Sequence, residues 1–393
     1  MKMDSQTFQL TDSGNLGRNL LMLGGLGLVL TLVGYFVDHE QFFFSYLTAF
    51  AYWTTLGLGA LFFTMLHHLT GAVWSVVLRR MMETVAAVLP VMLIFFLPII
   101  FGMHSLYHWS HADVVAHDPI LAQKAGYLNP TFFIIRAVVF FGIWFLVARG
   151  LYRTSLAQDS GHTDSMQAKL RKLSAGGMVL YAFTVSFAAF DWLMSLDPHW
   201  YSTIFGVYIF SGGFLAILAF LVIFTNWLLR RDVLSGIVTI EHHHDLGRLL
   251  FAFTVWWAYI AASQYFLIWY GNLPEETHWF LDRWVESWRP WSLFIIAFHF
   301  AIPFFVLVFR ANKRSRPVLV SMAILFLIMH WADLYWVIMP TLHKTGVQLS
   351  WMDFTAWIGM GGIYLGLFWK RFTAHPMVPA GDPNLKKSME VVH

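Results

Sequence analysis

The chain has 393 residues, of which 58% are hydrophobic, 18% aromatic and only 12% charged, with a mean hydropathy of +0.61. Soluble domains carry about a quarter charged residues, so this composition excludes a soluble globular protein and points to an all-α, polytopic membrane protein. The net charge of +3 is distributed among loops and gives no nucleic-acid surface, and the absence of cysteine excludes disulfides, thiolate-held iron–sulfur clusters and cysteine nucleophiles within this chain.

A bilayer core takes about 20 mostly apolar residues per helix. Ten stretches qualify: 20–37, 43–66, 84–103, 131–152, 173–195, 201–229, 249–270, 291–309, 317–341 and 354–369. The whole of 1–393 is therefore one integral domain, because no polar segment is long enough to bury a core of its own. Residues 1–19 form a polar N-terminal segment, and the first helix has no small-residue cleavage site after it, so it reads as retained. No strong break separates the second helix from Arg79-Arg80, which leaves its continuation through Val73–Leu78 open.

Lysine and arginine accumulate in cytoplasmic loops. Of the 25 here, all but Lys124, Arg136, Arg283, Arg289 and Lys344 fall at the N-terminus, in alternate loops or in the tail 371–393. The expected topology has both termini cytoplasmic, in a multi-pass protein of the bacterial inner membrane. The opposite loops are rich in His, Trp and Tyr, and 274–289, "PEETHWFLDRWVESWR", alternates aromatics with charges like a helix lying in the interface.

A faint internal repeat runs through the chain. Helix five ends Asp191…Pro198 and helix nine ends Asp333…Pro340 with the same spacing; helices two and six each end in a Trp followed by Arg-Arg; helices four and eight each close on one Arg, Arg149 and Arg310. The common order predicts two four-helix bundles, 43–195 and 201–341, flanked by helices one and ten.

A charge at a helix centre costs roughly 2.5–3.5 kcal/mol on insertion scales, so such residues turn inward and commonly mark function. Toward the outer half fall Arg136, Asp191, His299, His330 and Asp333; toward the inner side fall His67, His68 and Glu83. His330 and Asp333, three residues apart, share one helix face and can share a proton. Asp191 and Arg136 lie at similar depth on adjacent helices, where an ion pair would offset the burial of both, as a structural lock or as part of proton or quinone chemistry. Carboxylates in low dielectric and histidines both exchange protons near neutral pH, so a relay through them, with Tyr181, Thr184 and Ser186 or Tyr259, Ser263 and Gln264 between, is the chemistry these types support.

Other clusters point to less. Glu241-His242-His243-His244-Asp245 resembles a metal site, but adjacent histidines in a loop cannot all face one ion. His104, His108 and His111 share a face if their segment is helical, which suits partner contact. His299 and His330 could flank a b-haem, yet no second pair stands at the inner side. No P-loop, GxSxG, HExxH or dinucleotide fingerprint is present.

The stretches "FDWLMSLDPHWYSTIFGVYIFSGGFLAILAF" (190–220) and "GAVWSVVLRRMMETVAAVLP" (71–90), with the ten-helix layout, resemble the polysulfide-reductase-like, NrfD-type membrane subunits of alternative complex III, a bacterial quinol oxidoreductase. The likeness is closer to the F-type subunit than to the C-type. The resemblance implies two four-helix bundles, no covalently held cofactor, a homologous NrfD-type subunit alongside, and a periplasmic iron–sulfur subunit and cytochrome c subunits carrying the clusters and haem c. It implies that the motif aspartate is Asp191 and that menaquinone or another quinone is the substrate of the complex. Arg136 stands where the C-type site has histidine, so the expectation is a chain that scaffolds the complex and conducts protons or contacts quinone, surrounded by lipid, without catalytic residues of its own. The alternative expectation is a free-standing proton-coupled secondary transporter, favoured by repeated bundles and buried charges.

Overall fold

The computed structural model describes residues 2–4 and 8–391. It is almost wholly helical, apart from a short antiparallel hairpin of β1 (Lys2–Asp4) and β2 (Gln9–Asp12). Among the described residues, nine helices are long and apolar enough to cross a membrane. They are α1 (Leu16–Val37), α2 (His39–Thr70), α3 (Val76–Phe101), α4 (Pro130–Gln158), α5 (Asp164–Leu196), α6 (Phe205–Leu229), α7 (Ile240–Gly271), α8 (Trp288–Leu307) and α9 (Arg316–Thr341). A further long helix, α10 (Trp351–Thr373), has 23 residues and a Gly-rich, more polar composition.

Local chemistry sets the ends. The Asp38 side chain accepts from the Gln41 N–H at 3.0 Å to start α2, and Asn129 does the same for Phe132 at 2.8 Å, with Pro130 at the first position of α4. Gly71, at φ +60, takes the left-handed conformation that closes α2. This settles the open boundary: 76–88 begins α3, and Arg79 and Arg80, expected in a loop, are buried inside that helix. The interfacial segment is also shorter than expected, since only Pro274–Leu281 is helical before α8 starts at Trp288. Within α8, Ile296–Ala301 forms a π turn just before Pro303. Pro303 has no N–H to offer the carbonyl one turn back, which loosens the helix at that point.

The helices α2 and α6 form the centre. Helix α2 packs against α1, α3, α5, α6, α9 and α10, and α6 against α2, α5, α7 and α9. The outer faces are covered with large apolar side chains such as Phe36, Phe101, Phe183 and Tyr270, a belt far beyond what a protein surface tolerates in water.

Helix α1 is held chiefly by α10. A Cβ added at Gly24 would lie 2.5 Å from the Ile363 nitrogen, and one at Gly27 would lie 2.7 Å from the Gly359 Cα. The two backbones touch because the facing positions lack side chains, the usual way to gain packing energy where no hydrophobic effect operates between helices. Gly24→Leu should therefore force α1 away and destabilise the protein by about 1–3 kcal/mol, read as a lower Tm in detergent. Gly25→Leu, where nothing lies within 4 Å, should leave the Tm unchanged.

Candidate functional site

The polar residues of α6 to α9 converge on Asp333, which is 3% exposed. The Tyr208 hydroxyl on α6 donates to Asp333 Oδ1, and the Trp257 indole on α7 donates to Oδ2 at 3.3 Å. His299, fully buried in the π turn of α8, stacks on Trp257 with ring centroids 4.0 Å apart, and neither of its ring nitrogens has a partner among the described residues. His330 shares a 2.9 Å hydrogen bond with Thr55 of α2 through Nε2, while its Nδ1 has no partner. His330 and Asp333 do face the same way, yet they form no direct hydrogen bond. Gly212 of α6 lies opposite them: a Cβ there would be 3.1 Å from His330 Nδ1 and 3.7 Å from Asp333 Oδ2, so its absence leaves a gap bounded by both. Buried polar atoms are nearly always paired, and the unpaired Nδ1 of His330 beside the carboxylate, with both nitrogens of His299 unpaired behind Trp257, is a departure that accompanies function.

In the other half of the molecule Arg136 and Asp191 form a bidentate ion pair, Nε to Oδ2 at 2.6 Å and Nη2 to Oδ1 at 3.1 Å. The guanidinium also donates to the Tyr127 carbonyl at 2.8 Å and lies 3.8 Å from the centroid of the Tyr127 ring. Both charges here are paired, so this site joins α4 to α5, with the buried Tyr127 hydroxyl beside it left without a hydrogen-bond partner among the described residues.

His67, His68 and Glu83 come together at the basic end. Glu83 accepts from Ser155 at 2.6 Å and pairs with Arg79 at 2.9 Å and Arg80 at 3.3 Å; His68 stands 3.8 Å from it. His67 shares a 2.7 Å hydrogen bond with Ser75. Arg80 also pairs with Asp159 at 2.9 Å, and Arg79 with Asp382 at 2.5 Å. The tail, expected over 371–393, folds back on the bundle: Asp382 enters this network, and Ser388 donates to the Trp74 carbonyl at 2.9 Å. Residues 392–393 lie outside the described residues.

At the opposite, aromatic end the motif "DPHW" ties loops together. Asp197 pairs with His278 at 2.8 Å, His199 with Asp118 at 2.6 Å, the Pro198 carbonyl accepts from Lys124 at 2.6 Å, and Trp200 stacks on Trp279 at 4.4 Å. The hydrogen bond from His199 holds the Asp118 carboxyl below its ordinary value. His104 and His111 lie ring to ring at 4.8 Å, but the segment breaks into short turns and His108 does not join them. The Glu241–Asp245 run is the first turn of α7 rather than a loop. Glu241 is bound by Arg314 at 2.5 and 2.8 Å, and His242 completes a capping box with Thr239. Among the described residues no group of His, Asp and Glu is arranged to hold a metal ion.

Several participants were not picked out from sequence: Tyr208, Trp257, Asp382, and Asp353, a buried carboxylate that accepts from Ser45 at 2.5 Å and from the Ser350 N–H at 2.8 Å at the start of α10. A scan against protein-family models and a search of curated proteins return no match.

Asp191→Asn leaves a buried guanidinium without its counter-charge and should cost about 3–5 kcal/mol. Combining Asp191→Leu with Arg136→Met should recover much of that loss, measured as a double-mutant cycle in reversible denaturant unfolding. Asp118 gives a pH-dependent effect. Its carboxyl is lowered on folding, so its contribution is present above the ordinary aspartate value of about 4 and fades as pH falls through the folded value. The Tm difference between wild type and Asp118→Asn should accordingly vanish on acidification.

Proposed function

We propose that this chain is an integral membrane subunit of a quinol:electron acceptor oxidoreductase of the alternative complex III type, F-like rather than C-like. In this reading the ten long helices all cross a bacterial inner membrane, with both termini cytoplasmic, as bundles α2–α5 and α6–α9 flanked by α1 and α10. The chain scaffolds the complex beside a homologous membrane subunit. Iron–sulfur clusters and haem c belong to partners, since a chain without cysteine cannot ligate a thiolate-held cluster.

One observation carries the functional part: Asp333 is buried against Tyr208 and Trp257, with the unpaired Nδ1 of His330 bounding the same gap and His299, unpaired at both nitrogens, on the Trp257 ring. A carboxylic acid in low dielectric, hydrogen-bonded by a phenol, takes and gives a proton with little rearrangement. His330 extends the cluster through Thr55 to α2. The second bundle is thus the proton-handling half, and the first, where Arg136 neutralises Asp191, is the structural half. Asp333→Asn should lower proton uptake coupled to quinol turnover while the complex still assembles, measured with a pH-sensitive dye in vesicles. Unchanged proton stoichiometry, or a purified chain that brings no iron–sulfur or haem subunit with it, counts against the reading.

A proton-coupled secondary transporter is the second reading, favoured by the π turn and Pro303 that interrupt α8 beside the same cluster. Purification without redox partners, together with proton-driven solute flux in vesicles, would select it.

A further inference from the structure

Helix α7 packs on the inner part of α8, Ile302–Leu307, and on the π turn, while its other half stands away from Trp288–Ile295. The loosened turn before Pro303 is where the two helices part. Between them opens a cleft of about 900 Å³, lined mostly by apolar and aromatic side chains. It follows α7 from Val255 to Asn272, roughly 25 Å at 1.5 Å per residue. The rim residues Tyr265, Trp269 and Trp284 are exposed on the apolar belt, so the cleft faces lipid.

Its floor is polar at one end. Four arginines are buried among the described residues: Arg79, Arg80, Arg136 and Arg283. The first three face carboxylates. Arg283, 4% exposed on the cleft floor, forms no ion pair among the described residues, although Asp197 and Asp282 lie near enough to favour its charge. Its guanidinium donates only to backbone carbonyls, Trp336 at 3.0 Å, Trp279 at 2.8 Å and Val337 at 2.7 Å, and lies 3.4 Å from the centroid of the Trp279 ring. Carbonyl dipoles and an aromatic face solvate a cation without cancelling its charge. Burial pushes the Arg283 pKa down to about 9, which leaves it charged at neutral pH. The same cleft is lined by Gln264, 4% exposed, which accepts from Ser202 at 3.0 Å through Oε1 and whose amide nitrogen has no partner among the described residues.

We propose that this cleft binds one anionic membrane lipid, its phosphate held by Arg283 and the Gln264 amide and an acyl chain lying along α7. Charge complementarity selects the head, because a phosphate supplies the directly bonded counter-charge that no carboxylate among the described residues gives Arg283, and presents acceptors to its remaining N–H groups. The length and apolar walls select the chain. This inference holds whichever assembly the protein joins.

The test uses the full-length protein in nanodiscs of phosphatidylcholine doped with phosphatidylglycerol and a prenylated quinone, released for native mass spectrometry. Wild type should carry one phosphatidylglycerol through the release. Arg283→Gln should lower that retention about tenfold or more, and Arg289→Gln, at an exposed arginine, should not. Should Arg283→Gln fail to fold, Ala261→Trp fills the cleft with the arginine in place and should also expel the lipid. Equal phosphatidylglycerol retention by wild type and either cleft variant overturns the proposal. So does retention of phosphatidylcholine or of the quinone in its place.

Discussion

A charge inside hydrocarbon has to be answered by the protein that put it there, and the architecture of this molecule follows from how each answer is arranged. Arg136 answers Asp191 across two helices, so α4 and α5 are bound at one depth. Arg79 and Arg80 are answered by Glu83, Asp159 and Asp382, drawn from three parts of the chain that meet only at the basic end. Because removing one member strands the rest at several kcal/mol, these clusters fix which helices are neighbours more firmly than apolar packing between helices could. Asp333 is treated differently. Its neighbours are neutral donors and aromatic rings, the surroundings in which a carboxyl can change its protonation state without leaving an opposite charge exposed.

The same contrast separates the two halves of the molecule. The pairing scheme repeats, with α2 against α9 and α6 against α5, but the chemistry at the aromatic end does not. One half holds a saturated ion pair and the other an undersaturated cluster beside an interrupted helix and an open cleft. Rigidity and adaptability are thereby assigned to different helices, and α2, which reaches His330 through Thr55, is the element common to both.

Much of this could be read from residue order. Every apolar stretch lies on a long helix, because hydrophobic length is a local property and a bilayer selects for it. The Arg136 and Asp191 contact was legible from depth alone, since two opposite charges on adjacent helices at one level have few other solutions. Arg79 and Arg80 misled: a basic pair after an apolar run looks like a loop, and only the partners supplied by Asp159 and Asp382, far away in sequence, make its burial affordable. Tyr208 and Trp257 gave no signal, as tyrosine and tryptophan are abundant throughout this chain and nothing local marks the ones that meet an aspartate. Arg283 looks in sequence like one more interfacial cation; that its direct partners among the described residues are carbonyls and a ring is visible only once the helices around it are in place. The Glu241–Asp245 run reads as a loop in sequence because the apolar period begins after it, although Thr239 and His242 cap a helix there.

The docked C-terminal segment carries a consequence for biogenesis. Helices α2 and α3 emerge from the ribosome before it, and Arg79 is made 303 positions ahead of Asp382, the carboxylate it reaches across the basic end. The basic end therefore reaches its final arrangement only after Asp382 and Ser388 have followed. A copy cut short before Asp382 lacks that carboxylate and the Ser388 contact with Trp74, and its open basic end is a mark by which cellular quality control can tell it from a longer one.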